Sequence, residues 1–439
     1  MPKFSRRNVL KSGAALAAGA AAMGSGVRSA DAADRAGSRY NWGHTVAFGE
    51  QYYVRIAEML ESIRQNEMKL IGDISTRMAE TLKKGGNVFM HAQAGHMGYI
   101  EFKEENKGNP RILKSSTVWN GGDYDKMKPG DVLMTNYVNE NVRKARDSGV
   151  YVVGVPVCYV DNEWAPRGFV TPNPNNWLLG DVSSIILQSY IPYTQGIIDC
   201  PEIPEMKLCP SAASVLCSLF WMFQGETANK FKNKNAKPVD KSSEFLATVL
   251  SRLHEGYRHQ KDYMFDTAAT VAKLIGNGAY YHVTSDHTGV QSESNGVAMG
   301  PRMTNAFRKN MKKGDVHLLA TIEPDSQKII DEAKKAREMG MFVVSIAPAN
   351  SLKIRFYSDV FIDNLSPEGG GFMQIPGFPE KIGTVGGIVN NMLMWIFTGQ
   401  FIDEMVRRGW VPWFSIGGYT VGSGAYNKAM EQFFRKQGF

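Results

Sequence analysis

Cysteine is scarce in this chain: four among 439 residues, at Cys158, Cys200, Cys209 and Cys217, all in the first half. So few thiols exclude a disulfide-stapled framework. The short spacing leaves Cys200 and Cys209 either a local disulfide or two free thiols, while Cys158 and Cys217 read as small buried hydrophobes. Beyond about Met23 no run is long and apolar enough to cross a bilayer, so no membrane span is expected. Net charge is low as well. The formal +7 includes Lys3, Arg6, Arg7, Lys11, Arg28 and Asp31 near the start, and without them it falls to about +3. That small excess, with no interleaved basic and aromatic stripe, argues against nucleic acid as a partner. Neither Gly369–Gly371 nor Gly383–Gly387 has the spacing of a phosphate-binding glycine fingerprint.

What is present begins with Ser5-Arg-Arg-Asn-Val-Leu-Lys11, followed by an Ala/Gly-rich apolar run and small residues near Ala30-Asp-Ala32. Twin arginines before a weakly hydrophobic segment read as a twin-arginine export signal over residues 1–33. The remaining protein is therefore expected in the periplasm or otherwise exported. Its hydrophobic share of 43% is ample for two cores.

The chain also says much the same thing twice. An apolar run ends in His91-Ala-Gln-Ala-Gly-His96, and another ends in His282-Val-Thr-Ser-Asp-His287; the pairs stand 191 residues apart (91 to 282, 96 to 287). The echo continues through Gly130-Asp-Val and Gly314-Asp-Val. It goes on through Gly149-Val-Tyr-Val-Val and Gly340-Met-Phe-Val-Val, and through Trp221-Met-Phe and Trp395-Ile-Phe. Such a duplication predicts two copies of one domain, at 34–225 and 244–439, joined by a polar, lysine-rich linker at 226–243. Each copy opens on a long amphipathic helix, Tyr52–Lys84 or Phe245–Gly276. Short apolar runs then alternate with helical patterns: 87–92, 131–135 and 150–157, then 279–284, 315–320 and 341–346. Apolar strands separated by helices predict an α/β fold with parallel sheets covered on both faces. The crossover helix near Asn139–Ser148 is read as about two turns shorter than its counterpart Glu323–Met339.

This pattern resembles the sugar isomerase (SIS) domain, a flavodoxin-like α/β fold, here in tandem. The resemblance is carried by Ser358-Asp-Val-Phe-Ile-Asp-Asn364, by Lys381–Asn391 and by the tail Pro412–Asn427, with a Gly-His pair in the first βα loop matched by Gly95-His96 and, as Asp286-His287, in the second copy. It implies sugar binding and an intramolecular pseudo-dimer whose long helices pack in the seam. It also leaves room for homo-oligomers through a similar helical interface.

In such a sheet a ligand sits beyond the carboxyl ends of the strands. His91 and His282 are expected to end the first strand of each copy, with His96 and His287 opening the next helix. Imidazoles there can open a sugar ring or shuttle protons, with Glu101 or Glu293 as enediol base. The turn after the second main strand offers Asn136 and Asn139 in one copy and Thr321, Glu323, Asp325 and Ser326 in the other. Those carboxylates suit hydroxyl groups better than phosphate, so the expected partner is a small, non-phosphorylated carbohydrate, and the expected activity isomerisation or a related enolisation. A non-catalytic sugar-binding protein is the rival reading. Helix capping or core packing would account for each residue singly. No cofactor is required, although a histidine pair with a carboxylate is compatible with zinc. The second copy is expected to hold the more complete site.

Overall fold

The computed structural model describes residues 46–91, 101–102, 108–109, 112–116, 118–157, 177–192, 194–296, 298–304, 310–417 and 422–439. The expected export signal, His96 and Cys158 lie outside them.

In chain order the helices are α1 (Phe48–Asn66), α2 (Met68–Lys83), α3 (Glu140–Asp147), α4 (Leu179–Val182), α5 (Ala212–Lys232), α6 (Asp240–Gly276), α7 (Val290–Gly296), α8 (Gln327–Glu338), α9 (Leu352–Tyr357), α10 (Val385–Arg407) and α11 (Ser423–Gln437). The first half builds a parallel sheet from β1 (Val88–His91), β2 (Lys114–Ser116), β3 (Val132–Thr135), β4 (Tyr151–Gly154) and β5 (Ile185–Ile186), in the order β2-β1-β3-β4-β5. That is the doubly wound, flavodoxin-like order, with its switch point between β1 and β3. The second half builds another parallel sheet from β8 (Tyr281–Asp286), β9 (Val316–Thr321), β10 (Phe342–Ala347) and β11 (Val360–Asp363), in the order β11-β10-β9-β8. A short antiparallel hairpin precedes the main buried helix of each half: β6 (Gly196–Ile198) with β7 (Leu208–Pro210) before α5, and β12 (Gly371–Met373) with β13 (Ile382–Thr384) before α10. The expected α/β fold with two parallel sheets is therefore what the chain forms.

The duplication shows in small details. Asp131 accepts from the backbone amides of Asn87 (2.7 Å) and Lys128 (2.9 Å), tying the starts of β1 and β3 together. Asp315 accepts from Tyr280 (2.7 Å) and Lys312 (3.0 Å) and does the same for β8 and β9. Gly149 and Gly340, both at positive φ (98° and 72°), turn the chain from crossover helix into strand, a conformation that favours glycine.

One continuous core joins the halves. Phe48, Tyr52, Trp221, Phe245, Trp395 and Phe401, from α1, α5, α6 and α10, belong to a single buried cluster. The seam is also pinned by polar contacts. Asn391 Nδ2 donates to Ser214 Oγ (2.9 Å) between α10 and α5, and the Gly49 amide donates to Gln400 Oε1 (3.3 Å) between α1 and α10. The long helices do pack there, as expected.

Several expectations need correction. The first long helix is interrupted at Glu67, whose carboxylate accepts from Tyr190 OH (3.0 Å) and the Gln188 amide (3.4 Å). The expected linker 226–243 is mostly helix. Glu226 to Asn229 are buried in α5, and Glu226 caps the start of α6 by accepting from the Lys241 and Ser242 amides (2.8 and 2.9 Å), so only residues 233–239 connect the two helices. Lys230, expected in solvent, donates to the Gly72 carbonyl and Thr76 hydroxyl. The crossover helices α3 and α8 have 8 and 12 residues, a difference of about one turn rather than two. α10 is long and apolar enough to cross a membrane, contrary to the sequence reading, but its apolar window is 100% buried as a core helix. Cys200 and Cys209 are buried thiols, not a disulfide. They sit out of step on the hairpin, whose register pairs Ile198 with Leu208.

Candidate active site

The carboxyl end of the first sheet carries His91, the last residue of β1. Its Nδ1 lies 2.9 Å from Thr135 Oγ1 and its Nε2 lies 3.0 Å from the Gly122 carbonyl. The Thr135 hydroxyl accepts from the Tyr137 amide (3.1 Å), so it donates to Nδ1, and Nε2–H donates to Gly122. Burial holds this imidazole below its ordinary pKa, keeping it neutral. Both nitrogens are engaged, so His91 fastens the end of β1 to its neighbours rather than reaching for a ligand. Asn139 caps α3, accepting from the Val142 amide (3.0 Å). Asn136 differs. Its side chain is buried, neither amide atom has a partner among the described residues, and it lines a small cavity with Met90, His91, Met134 and Leu216.

In the second sheet the histidine echo breaks down. His282 is the second residue of β8, paired with His317 across the sheet, and its Nε2 lies 3.0 Å from Asp315 Oδ2. It was expected at the carboxyl end of the strand and stands near the amino end. The Asp131 and Asp315 anchors show why. They align Asn87 with Tyr280, an offset of 193 residues rather than 191, which makes Phe89 and not His91 the counterpart of His282. We expect His282→Phe to weaken folding by about 1–3 kcal/mol through the stranded Asp315 carboxylate. It should leave ligand response untouched, and denaturant unfolding with a ligand thermal shift checks both.

Asp286, not His282, ends β8, opposite Thr321 at the end of β9. His287 follows at φ 54° with its side chain 41% exposed, and its Nε2 lies 3.3 Å from both Asp286 Oδ2 and Glu323 Oε2. Ser326 caps α8 through the Ile329 amide (3.3 Å) and donates to Asp286 Oδ2 (2.6 Å). Thr321 Oγ1 accepts from the Glu323 amide (3.0 Å), repeating the Thr135–Tyr137 contact. Asp325 is exposed on the same rim. His287, Asp286, Glu323, Ser326 and Asp325 thus form one acidic, half-open edge with a central imidazole. Among the described residues no group of three His, Cys, Asp or Glu side chains is arranged to hold a metal ion.

The two glutamates lie elsewhere, in the seam. Glu101, from the first half, is 1% exposed and rests on the second half. Its Oε1 accepts from the Gly289 amide (3.3 Å), two residues past His287, and its Oε2 accepts from Thr384 Oγ1 (3.1 Å) just before α10. Gly387, in the first turn of α10, leaves the space: a Cβ there would collide with the Glu101 carboxylate. Burial pushes the Glu101 pKa up to about 7, and the hydroxyls of Thr288 and Thr384 and the Gly289 amide offset only part of that. Glu293, fully buried on α7, acts electrostatically on Tyr52 of α1. Both carboxyl groups act on Cys217, whose thiol burial already holds well above its usual pKa. The sequence-predicted base Glu101 and the His287 loop therefore meet across the halves, whereas His91, His282 and Asn139 serve structure. Thr384 and Gly387 escaped the sequence reading, because a hydroxyl and a missing Cβ matter only once the seam is built.

No family model and no curated protein matches this chain. Among solved structures, a proposed tagatose-6-phosphate ketose/aldose isomerase from Clostridium novyi is 10% identical, with 82% of this chain and 89% of that one covered at a TM-score of 0.48. The C-terminal domain of glucosamine-fructose-6-phosphate aminotransferase from Francisella tularensis is also 10% identical, with 84% and 98% covered at 0.46. Glucosamine-6-phosphate deaminase from Thermotoga maritima is 10% identical, with 82% and 96% covered at 0.39. Likeness this distant carries no inference about chemistry. The fold class rests on the two parallel sheets themselves.

Proposed function

We propose that the protein binds a small, non-phosphorylated carbohydrate where the second sheet meets the seam, and enolises it by proton transfer. The observation that carries this reading is Glu101. A carboxyl group with a pKa near 7 is divided between acid and base at neutral pH, the condition under which one group can both remove and return a proton. Its position against Thr288 and Gly289 puts it one loop from His287. In the proposed reaction Glu101 takes the proton from the carbon beside the sugar carbonyl and returns it to the adjacent carbon. The His287 imidazole moves the hydroxyl protons, with Asp286 and Glu323 orienting its ring. Those carboxylates and Asp325 would repel a phosphate, which supports a neutral or singly charged ligand.

The test is incubation with a panel of free and oxidised sugars in deuterated water. Deuterium at the carbon beside the carbonyl is expected with the wild type. Glu101→Gln should lose it by roughly 100-fold or more, and His287→Ala should lose part of it with folding intact. One observation favours a rival, binding-only reading: the Gly289 and Thr384 donors already engage both carboxylate oxygens of Glu101. Thermal stabilisation by a sugar without exchange would establish that reading and remove the enzyme.

Export belongs to the same proposal and rests on Arg6, Arg7 and the apolar run that follows. Residues 1–33 fused to a folded reporter should carry it out of the cytoplasm, and Arg6→Lys/Arg7→Lys should hold it back.

A further inference from the structure

Arg302 opens a 3-10 turn (Arg302–Thr304) packed against β8, α7 and α11. The turn is held firmly. The Met299 amide donates to the Ser415 carbonyl and the Arg302 amide to the Trp413 carbonyl, both at 2.8 Å, and Pro301 bridges Phe414. The guanidinium at its head is half-buried, no hydrogen bond or ion pair of that group occurs among the described residues, and its Nε is buried without an acceptor. Glu431 is the carboxylate that acts on it electrostatically, but Glu431 is paired with Arg435 at 2.7 Å. Burying an arginine with no acceptor is unfavourable by several kcal/mol in general, because it gives up hydration and gains nothing in return. Burial accordingly holds this group below its ordinary pKa, although it stays charged.

We propose that Arg302 is the anchor of an oxyanion site, and that the anion is the carboxylate of a sugar acid. A guanidinium fork matches two coplanar carboxylate oxygens. One positive charge with Glu431 nearby suits a singly charged carboxylate better than a phosphate dianion. α7, on which the turn packs, begins just after Thr288 and Gly289, so the site flanks the loop assigned above to sugar binding. The identification of the ligand as a sugar acid rests on that functional reading; the oxyanion site itself rests on Arg302 alone.

Thermal unfolding of the full chain at constant ionic strength tests this, with D-gluconate, D-glucuronate, acetate and inorganic phosphate as probes. Gluconate or glucuronate should raise the wild-type Tm saturably by about 3 °C or more, with acetate weaker and phosphate weakest. Arg302→Met should lose the response and unfold, without ligand, no earlier than the wild type. Arg302→Lys should keep a reduced response, since it retains the charge and loses the fork. A wild type indifferent to all four probes overturns the proposal. So does an Arg302→Met variant that still responds, or one that is less stable than the wild type while Arg302→Lys responds fully. Phosphate acting more strongly than the sugar acids overturns the carboxylate assignment. Sugar-acid stabilisation without deuterium exchange leaves the anion site standing and removes the enolisation chemistry.

Discussion

Glu101→Gln should gain stability relative to the wild type as pH rises from 5 to 8. Burial raises the native-state pKa of Glu101 to about 7, above the value near 4.5 expected in the unfolded chain. Between those values the native state binds the proton more tightly, so this group's contribution to stability is full at low pH and is lost as pH rises toward 7. The difference converts to roughly 2–3 kcal/mol of lost stability between pH 5 and 8 in the wild type. Glutamine has nearly the same shape and cannot ionise. It should match the wild type near pH 5 and exceed it at pH 8. Other groups, including the buried His317 whose pKa falls to about 3, titrate alike in both proteins and cancel in the comparison. Denaturant unfolding of both at several pH values measures the difference. Parallel curves would mean that Glu101 is not the buried acid of the seam.

Gly387→Ala should destabilise the protein by roughly 2–4 kcal/mol, against the usual helical preference for alanine. The added methyl falls on the Glu101 carboxylate, whose displacement would take a buried acid away from the Gly289 amide and the Thr384 hydroxyl. A double-mutant cycle makes the argument specific. In a Glu101→Ala background the space is open, and Gly387→Ala should be near neutral or mildly stabilising. Additive effects would show that the glycine is needed for some other contact. The same variant should lose deuterium exchange, because the base is moved rather than removed.

Much of the fold was legible in the sequence, because parallel strands between helices are written as short apolar runs at steady intervals. Gly130-Asp131 and Gly314-Asp315 were legible as a repeat, and each aspartate proves to clamp two strand starts. The site was legible only in part. Glu101 and His287 come together, but the argument that pointed to them, four histidines in matched places, does not hold: His282 is bound to Asp315 near the base of its strand. Burial and register decide whether a histidine is chemistry or carpentry, and neither is visible in spacing alone. Thr384 and Gly387 lie 283 or more residues from Glu101, and nothing local to their own segment announces that they will receive a carboxylate. The break at Glu67 and the helical run through Glu226 were hidden for the same reason, since both depend on partners far along the chain.

The strands β3 and β4 have four residues each, and their counterparts β9 and β10 have six. Two further residues lift the second rim by about 7 Å. The number matters for its parity. An odd insertion would have turned each strand over from that point, sending its core side chains to the other face of the sheet. An even one lengthens the strand and keeps every side chain on its own side. Once the rims stand at different heights, a ligand shaped to one does not fit the other, and the duplicated chain is free to carry two different specificities on one frame.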